Sequence, residues 1–259
     1  MPTIDTAARR GHKPITSSAT HEAPFTQRKI AVYGDGAELA EMIDLHRRHV
    51  VQGFTTNPTL MRKSGVTDYV GFAKSVLEEI QDVPVSFEVF ADGFAEMERQ
   101  ARIISSWGEN VYVKVPVTDT KGVSSREIVE RLSQDGVKLN VTALMSVEQV
   151  RDVVTMLDPG TSAIISVFAG RIADTGCEPM PIMTQSAQAV RRLPLAKLLW
   201  ASPREVLNIY QAEACGCDIV TATKGLLDKL PYYGKDLSQL SRETVEMFFR
   251  DALRANYTL

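Results

Sequence analysis

Lys114 stands alone in the run Val111-Tyr112-Val113-Lys114-Val115-Pro116-Val117, an ammonium flanked by β-branched and aromatic residues. Such a segment reads as a buried strand. A buried amine must be paired with a carboxylate or give up its proton, because the unpaired charge is costly away from water. An amine that sheds its proton easily attacks carbonyl carbon, the first step of Schiff-base chemistry. Read alone, the segment also suits a lysine that snorkels to a carboxylate. Other polar residues recur in the same kind of place, at or just beyond the ends of apolar runs. They are Asp35, Thr56, Asn57, Glu88, Asn140, Thr142, Ser166, Arg171, Ser202 and Arg204, with Phe168 among them. One such residue is unremarkable as a cap, turn former or surface charge. Together they form a set that must find partners once the runs are buried.

The elements that would carry these residues follow a regular alternation. Short apolar runs at 30–34, 50–55, 85–90, 111–117, 137–142, 163–168, 196–201 and 218–222 make eight strand candidates. Stretches of helical period lie between them, at 37–49, 66–80, 94–107, 124–135, 146–157, 183–193 and 203–214. Ser124 and Ser146 are placed to cap two of these helices. The alternation predicts a (β/α)8 TIM barrel. An open doubly wound sheet is the other arrangement, but no G-x-G-x-x-G follows the first strand. An additional C-terminal helix at 241–256 presents Val245, Phe248, Phe249 and Leu253 on one face. It is more helix than a barrel needs, so it covers the mouth or docks on a neighbour. In a barrel, the residues singled out above fall at the C-terminal ends of the strands, where TIM-barrel chemistry collects.

The chain has 259 residues, is 44% hydrophobic and carries a formal net charge of -3 with both signs mixed along it. That excludes a strongly basic nucleic-acid surface and a polybasic membrane patch. No apolar run reaches the roughly 18 residues of a membrane-spanning helix. Residues 1–28 lack an apolar period and read as a flexible arm, leaving 29–259 as one catalytic barrel domain with its extra helix. Cys177, Cys215 and Cys217 fit neither a C-x-x-C pair nor a zinc site, and they read as reduced thiols of a cytoplasmic protein. No P-loop and no metal-ligand cluster is visible, so neither cofactor nor metal is expected. His46 and His49 fall on the first helix, away from the strand ends, and suit structural or solvent-facing positions.

The segments GFTTNPTL (53–60), VYVKVPVT (111–118), LNVTALMS (139–146), SVFAGRIAD (166–174) and ASPR (201–204) resemble those of the transaldolase and fructose-6-phosphate aldolase family. The resemblance runs in order through roughly residues 30–250. It implies a class I aldolase in which Lys114 forms the Schiff base with a ketose phosphate. By the same analogy Asp35 handles the proton of the C4 hydroxyl, and Glu88 and Thr142 position a water. Asn57 and Asn140 bond substrate hydroxyls or the surroundings of the lysine. Thr56, Ser166 and Phe168 line the substrate, while Arg171, Ser202 and Arg204 hold its phosphate. Aldolase-type members resemble this chain but carry Gln at the position of Glu88 and Tyr at that of Phe168, so the pattern here is the transaldolase one. The implied partners are sugar phosphates, and the implied assembly is a homo-oligomer. Three features depart from the family: Pro203 between Ser202 and Arg204, Lys224 near the end of the eighth strand, and the N-terminal arm. They leave room for a non-standard acceptor or donor, as in a specialised sugar pathway, and an aldolase using free dihydroxyacetone is the alternative activity within the family. A sugar-phosphate sensor without catalysis fits poorly with an intact Lys114, Asp35 and Glu88.

Overall fold

The computed structural model describes residues 29–258, so the arm expected over 1–28 lies outside the described residues. Eight parallel strands close into a barrel in sequence order. They are β1 Ala31–Asp35, β2 Phe54–Thr55, β3 Val85–Glu88, β4 Val111–Pro116, β5 Leu139–Leu144, β6 Ala163–Val167, β7 Ala196–Trp200 and β8 Ile219–Ala222. β8 closes onto β1, with Ala31 opposite Ile219 and Gly34 opposite Ala222. The expected TIM barrel is therefore the observed fold.

Side-chain alternation divides the apolar residues into two bodies. Val32, Phe54, Phe87, Val113, Val141, Ile165 and Leu198 face outward into the main core beneath the helices. Tyr33, Ile164, Leu199 and Ile219 form a second cluster, with Tyr112 and Phe168 packed on it. These alternate with the outward set, so they fill the barrel interior. Two residues further along the same strands come Asp35, Lys114, Ser166 and Thr221. The lower interior is thus an apolar plug and the layer above it is polar. Gly53 makes room for the plug, because a Cβ there would lie 2.5 Å from Tyr33 Cζ.

Among the described residues eleven α-helices surround or follow the strands. The expected ones are α1 Leu39–Arg47, α3 Tyr69–Glu79, α4 Phe94–Ser105, α5 Arg126–Gln134, α6 Val147–Met156, α8 Met180–Val190, α9 Leu207–Ala214 and α11 Leu237–Arg254. Three short helices were not foreseen: α2 Pro58–Lys63, α7 Ala169–Asp174 and α10 Lys224–Leu227. Each begins at a strand's C-terminal end and places site residues. Several boundaries shift from expectation by a few residues, and two of the shifts have a cause in the hydrogen bonding. β2 is shorter because Val50 N–H still bonds Leu45 O behind α1 at 3.1 Å, and the chain meets β1 first through Gln52 N–H, which donates to Val32 O at 2.8 Å. Residues 203–206 precede α9 as a loop, with the Arg204 and Glu205 N–H groups both donating to Asn208 Oδ1. Ser146 forms the expected cap, a capping box with Gln149, whereas Ser124 only accepts from Arg126 N–H at 3.3 Å.

No side chain of α11 is buried. Phe248 and Phe249 are 63% and 64% exposed, and Leu237, Val245, Leu253 and Tyr257 are exposed beside them. Among the described residues no helix is long and apolar enough to cross a membrane.

Candidate active site

Lys114 is 8% exposed and Glu88, its register neighbour on β3, is 5% exposed. Lys114 Nζ stands 3.7 Å from Glu88 Oε2 and donates to the carbonyl oxygen of Thr56. Thr56 Oγ1 lies 2.9 Å from both Glu88 Oε2 and Ser86 O, so its single proton serves one or the other. The amine, one carboxyl and one hydroxyl thus form a compact buried group across β2, β3 and β4. Burial pushes the Glu88 carboxyl above the usual range, and the Lys114 ammonium opposes that rise. Glu88 Oε1 is buried without a partner, as is Thr142 Oγ1 on β5. The carboxyl oxygen and the hydroxyl are thus two buried polar atoms still short of a hydrogen-bond partner.

Thr142 is aimed by an irregularity in its strand. The β5–β6 register shifts between Val141 and Leu144, and Ala143 takes φ 67°. A non-glycine residue in that region costs conformational energy, and bulges of this kind re-aim side chains beside sites.

A second group centres on Asp35 at the end of β1. Thr55 Oγ1 donates to Asp35 Oδ1 at 2.8 Å and lies 2.6 Å from Thr221 Oγ1. Since the Thr55 proton goes to Asp35, Thr221 must donate to Thr55, and the chain of bonds runs from β8 through β2 to β1. Asn57 Nδ2 is 3.3 Å from Asp35 Oδ2, while its Oδ1 accepts from Leu60 N–H at 2.9 Å and caps α2. The Asn57-Pro58 pair therefore starts a helix and reaches the acid at once. Burial raises the Asp35 pKa, opposed first by Lys114 and then by Thr55 and Asn57. A carboxyl so raised is a better base than an ordinary one, and it holds a proton it takes up more firmly than an ordinary carboxyl does.

Asn140 is held from both sides. Its Nδ2 donates to Ser86 Oγ at 3.1 Å and its Oδ1 accepts from Ser166 Oγ at 2.7 Å. Ser86 and Thr221 support the site without having been singled out in the sequence. A period-2 reading would have found Ser86, since it lies two residues before Glu88 on the same face.

The remaining predicted residues lie at the β6 and β7 ends. Phe168 ends the interior plug, and the Arg171 guanidinium stands over its ring at 5.5 Å. Ser202 takes φ 59°, and a Cβ on Gly170 would meet Ser202 O at 1.5 Å, so α7 lies flush against this loop. Arg204 forms an ion pair with Asp174 of α7. Lys224 lies on the other side of the mouth, 2.6 Å from Asp228 Oδ2. It lines a cleft of about 330 Å³ with Asp35, Lys63 and Asp228. His46 bonds Asp82 on the outer surface, as a structural histidine would. The three cysteines are free thiols. Among the described residues no His, Cys, Asp or Glu cluster suits a metal.

The family model described as Transaldolase/Fructose-6-phosphate aldolase matches residues 32–258. The chain belongs to this family. A probable transaldolase of Dehalococcoides mccartyi is 33% identical over 191 residues, covering 73% of this chain and 85% of the relative. One from Roseiflexus castenholzii is 34% identical over 202 residues, covering 76% and 88%. Among solved structures, dihydrodipicolinate synthase from Rhodopseudomonas palustris superposes with a TM-score of 0.52 at 14% identity, over 87% of this chain and 80% of that one. That likeness shows the barrel fold alone. As a member of the transaldolase and fructose-6-phosphate aldolase family the protein is an enzyme.

Proposed function

We propose that this enzyme is a transaldolase, moving a three-carbon dihydroxyacetone unit from a ketose phosphate to an aldose phosphate through an imine on Lys114. The observation that carries this reading is the buried Lys114–Glu88 pair at 3.7 Å with a phenyl ring, Phe168, packed on the same barrel interior. Lys114 Nζ attacks C2 of the ketose and water leaves, giving an iminium. The C3–C4 bond then breaks, its electron pair passes to the iminium as an enamine, and the C4 hydroxyl proton goes to Asp35. The first aldehyde departs. C3 of the enamine adds to a second aldehyde, Asp35 returns the proton, and water releases the product. Glu88 and Thr142, with their orphaned oxygens, hold the water that enters and leaves at the imine. Asn57 and Asn140 orient hydroxyls, and Arg171, Ser202 and Arg204 bind phosphate. The absence of a phenol at Phe168 favours transfer over release, because no acid proton is offered to the carbanionic carbon. Free thiols suit a cytoplasmic enzyme. The test is to supply fructose 6-phosphate with a panel of acceptor aldehydes and identify products by mass. Products lengthened by three carbons support the reading, and free dihydroxyacetone as the main product overturns it.

Replacing Arg171 or Arg204 by Ala should raise KM for phosphorylated substrates about 10- to 150-fold, the equivalent of ~1.5–3 kcal/mol for a charge-assisted contact. KM for an unphosphorylated ketose that carries the same dihydroxyacetone unit, such as fructose, should change little. Equal losses for both substrate types would assign the arginines to structure.

Copies of the chain associate through the stripe Leu237, Val245, Phe248, Phe249, Leu253 and Tyr257. At roughly 100–200 Å² each these side chains expose several hundred Å², close to the ~800 Å² each partner gives a standard interface. An unpartnered patch of that size is unusual on a monomer. Light scattering should give a multiple of 28.6 kDa for the native protein and a smaller species for the Phe248→Asp, Leu253→Asp double variant. A native mass of one subunit would exclude the association.

A further inference from the structure

The two arginines at the phosphate end reach it from different elements and are held differently. Arg171 lies on α7 and stands over Phe168. Arg204 lies beyond β7, and its fork is turned onto Asp174. Nε donates to Oδ1 at 3.1 Å and Nη2 donates to Oδ2. This bidentate pairing occupies one edge of the guanidinium and leaves the Nη1 hydrogens and one Nη2 hydrogen for another acceptor. Both partners are half exposed, so the pair adds little to stability. Its effect is on direction.

The backbone sets up the pairing. Gly170 and Asp174 are four residues apart and share one face of α7. At Gly170 that face touches the β7 loop, with Gly170 N–H donating to Ala201 O at 3.2 Å and no space for a Cβ against Ser202 O. The same face, one turn on, delivers Asp174 to Arg204. The Arg204 backbone is held as well, its N–H donating to Asn208 Oδ1 at 2.7 Å. The Arg204 hydrogen bond holds the Asp174 carboxyl below the usual range, with the nearby Arg171 charge adding to the effect. An ionised Asp174 therefore lies in the field of both guanidiniums.

We propose that Asp174 is a positioning residue that orients the Arg204 fork so that its free edge meets the substrate phosphate, and that it thereby sets the preference for phosphorylated over unphosphorylated sugars. This rests on the reading of Arg204 as a phosphate ligand. The test compares Asp174→Ala, Asp174→Asn, Asp174→Glu, Arg204→Ala and the Arg204→Ala, Asp174→Ala double variant. Asp174→Ala and Asp174→Asn should raise KM for fructose 6-phosphate about tenfold with kcat within about twofold, as expected when an oriented charge-assisted contact is loosened. The inhibition constant of inorganic phosphate should rise in parallel, and KM for unphosphorylated fructose should stay constant. Asp174→Glu should recover part of the loss, and the double variant should be no worse than Arg204→Ala alone. Unchanged KM in the Asp174 variants, a lower KM as from a competing carboxylate, or an additive double variant would each overturn the inference. If Arg204→Ala raises KM and the Asp174 variants do not, the inference alone fails. If Arg204→Ala is itself without effect, the phosphate reading of Arg204 fails and takes the inference with it.

Discussion

Borohydride reduction in the presence of fructose 6-phosphate should attach a three-carbon adduct to Lys114 and to no other lysine. Lys114 is buried beside two carboxyls whose pKa values burial raises, so protons can be exchanged around it without bulk water. Lys224, another lysine at the mouth, is unsuited to attack. Its hydrogen bond to Asp228 raises its pKa and keeps it an ammonium, which has no lone pair to offer. Lys114→Ala should lose the adduct and lower turnover by on the order of 10⁴-fold or more, as removal of a covalent nucleophile does. The variant should remain folded. Without the ammonium, the buried Glu88 takes up a proton and no unpaired charge is left behind. Peptide mapping of the reduced protein decides the matter, and an adduct on Lys224 or a normal adduct on Lys114→Ala would refute the assignment.

The second large effect concerns the fate of the three-carbon unit. With fructose 6-phosphate alone the enzyme should turn over slowly and accumulate the enamine. Adding erythrose 4-phosphate should release sedoheptulose 7-phosphate. Phe168→Tyr places a phenol at the end of the interior plug, where it can protonate the carbanionic carbon. Glu88→Gln removes the carboxyl nearest the nitrogen. Each change should raise the ratio of free dihydroxyacetone to transfer product by about tenfold or more; for Phe168→Tyr the ceiling is the roughly 10²–10⁴ that a well-positioned acid supplies. The ratio, measured in the native enzyme and both variants, separates the two activities of the family. A native enzyme that releases dihydroxyacetone as fast as it transfers it is an aldolase.

Much of this arrangement was legible in the chain because alternation along a strand is a local property. Tyr112 and Lys114, or Ile164 and Ser166, share a face whatever else the protein does, so an apolar run ending in one polar residue announces a buried strand with a functional tip. Eight such runs separated by helical stretches left few architectures other than a closed barrel. Helices of four to six residues carry less than two turns, too few for an amphipathic period, and so α2, α7 and α10 were invisible. Partner choice was invisible too. Thr55 meets Thr221 across 166 residues only because β8 closes onto β1. Asp174 meets Arg204 only because Gly170 lets α7 lie against the β7 loop. Residue types and periods determined which side chains gather at the mouth. Closure of the sheet decided which of them touch, because a hydrogen bond or ion pair depends on distances that the covalent chain does not set.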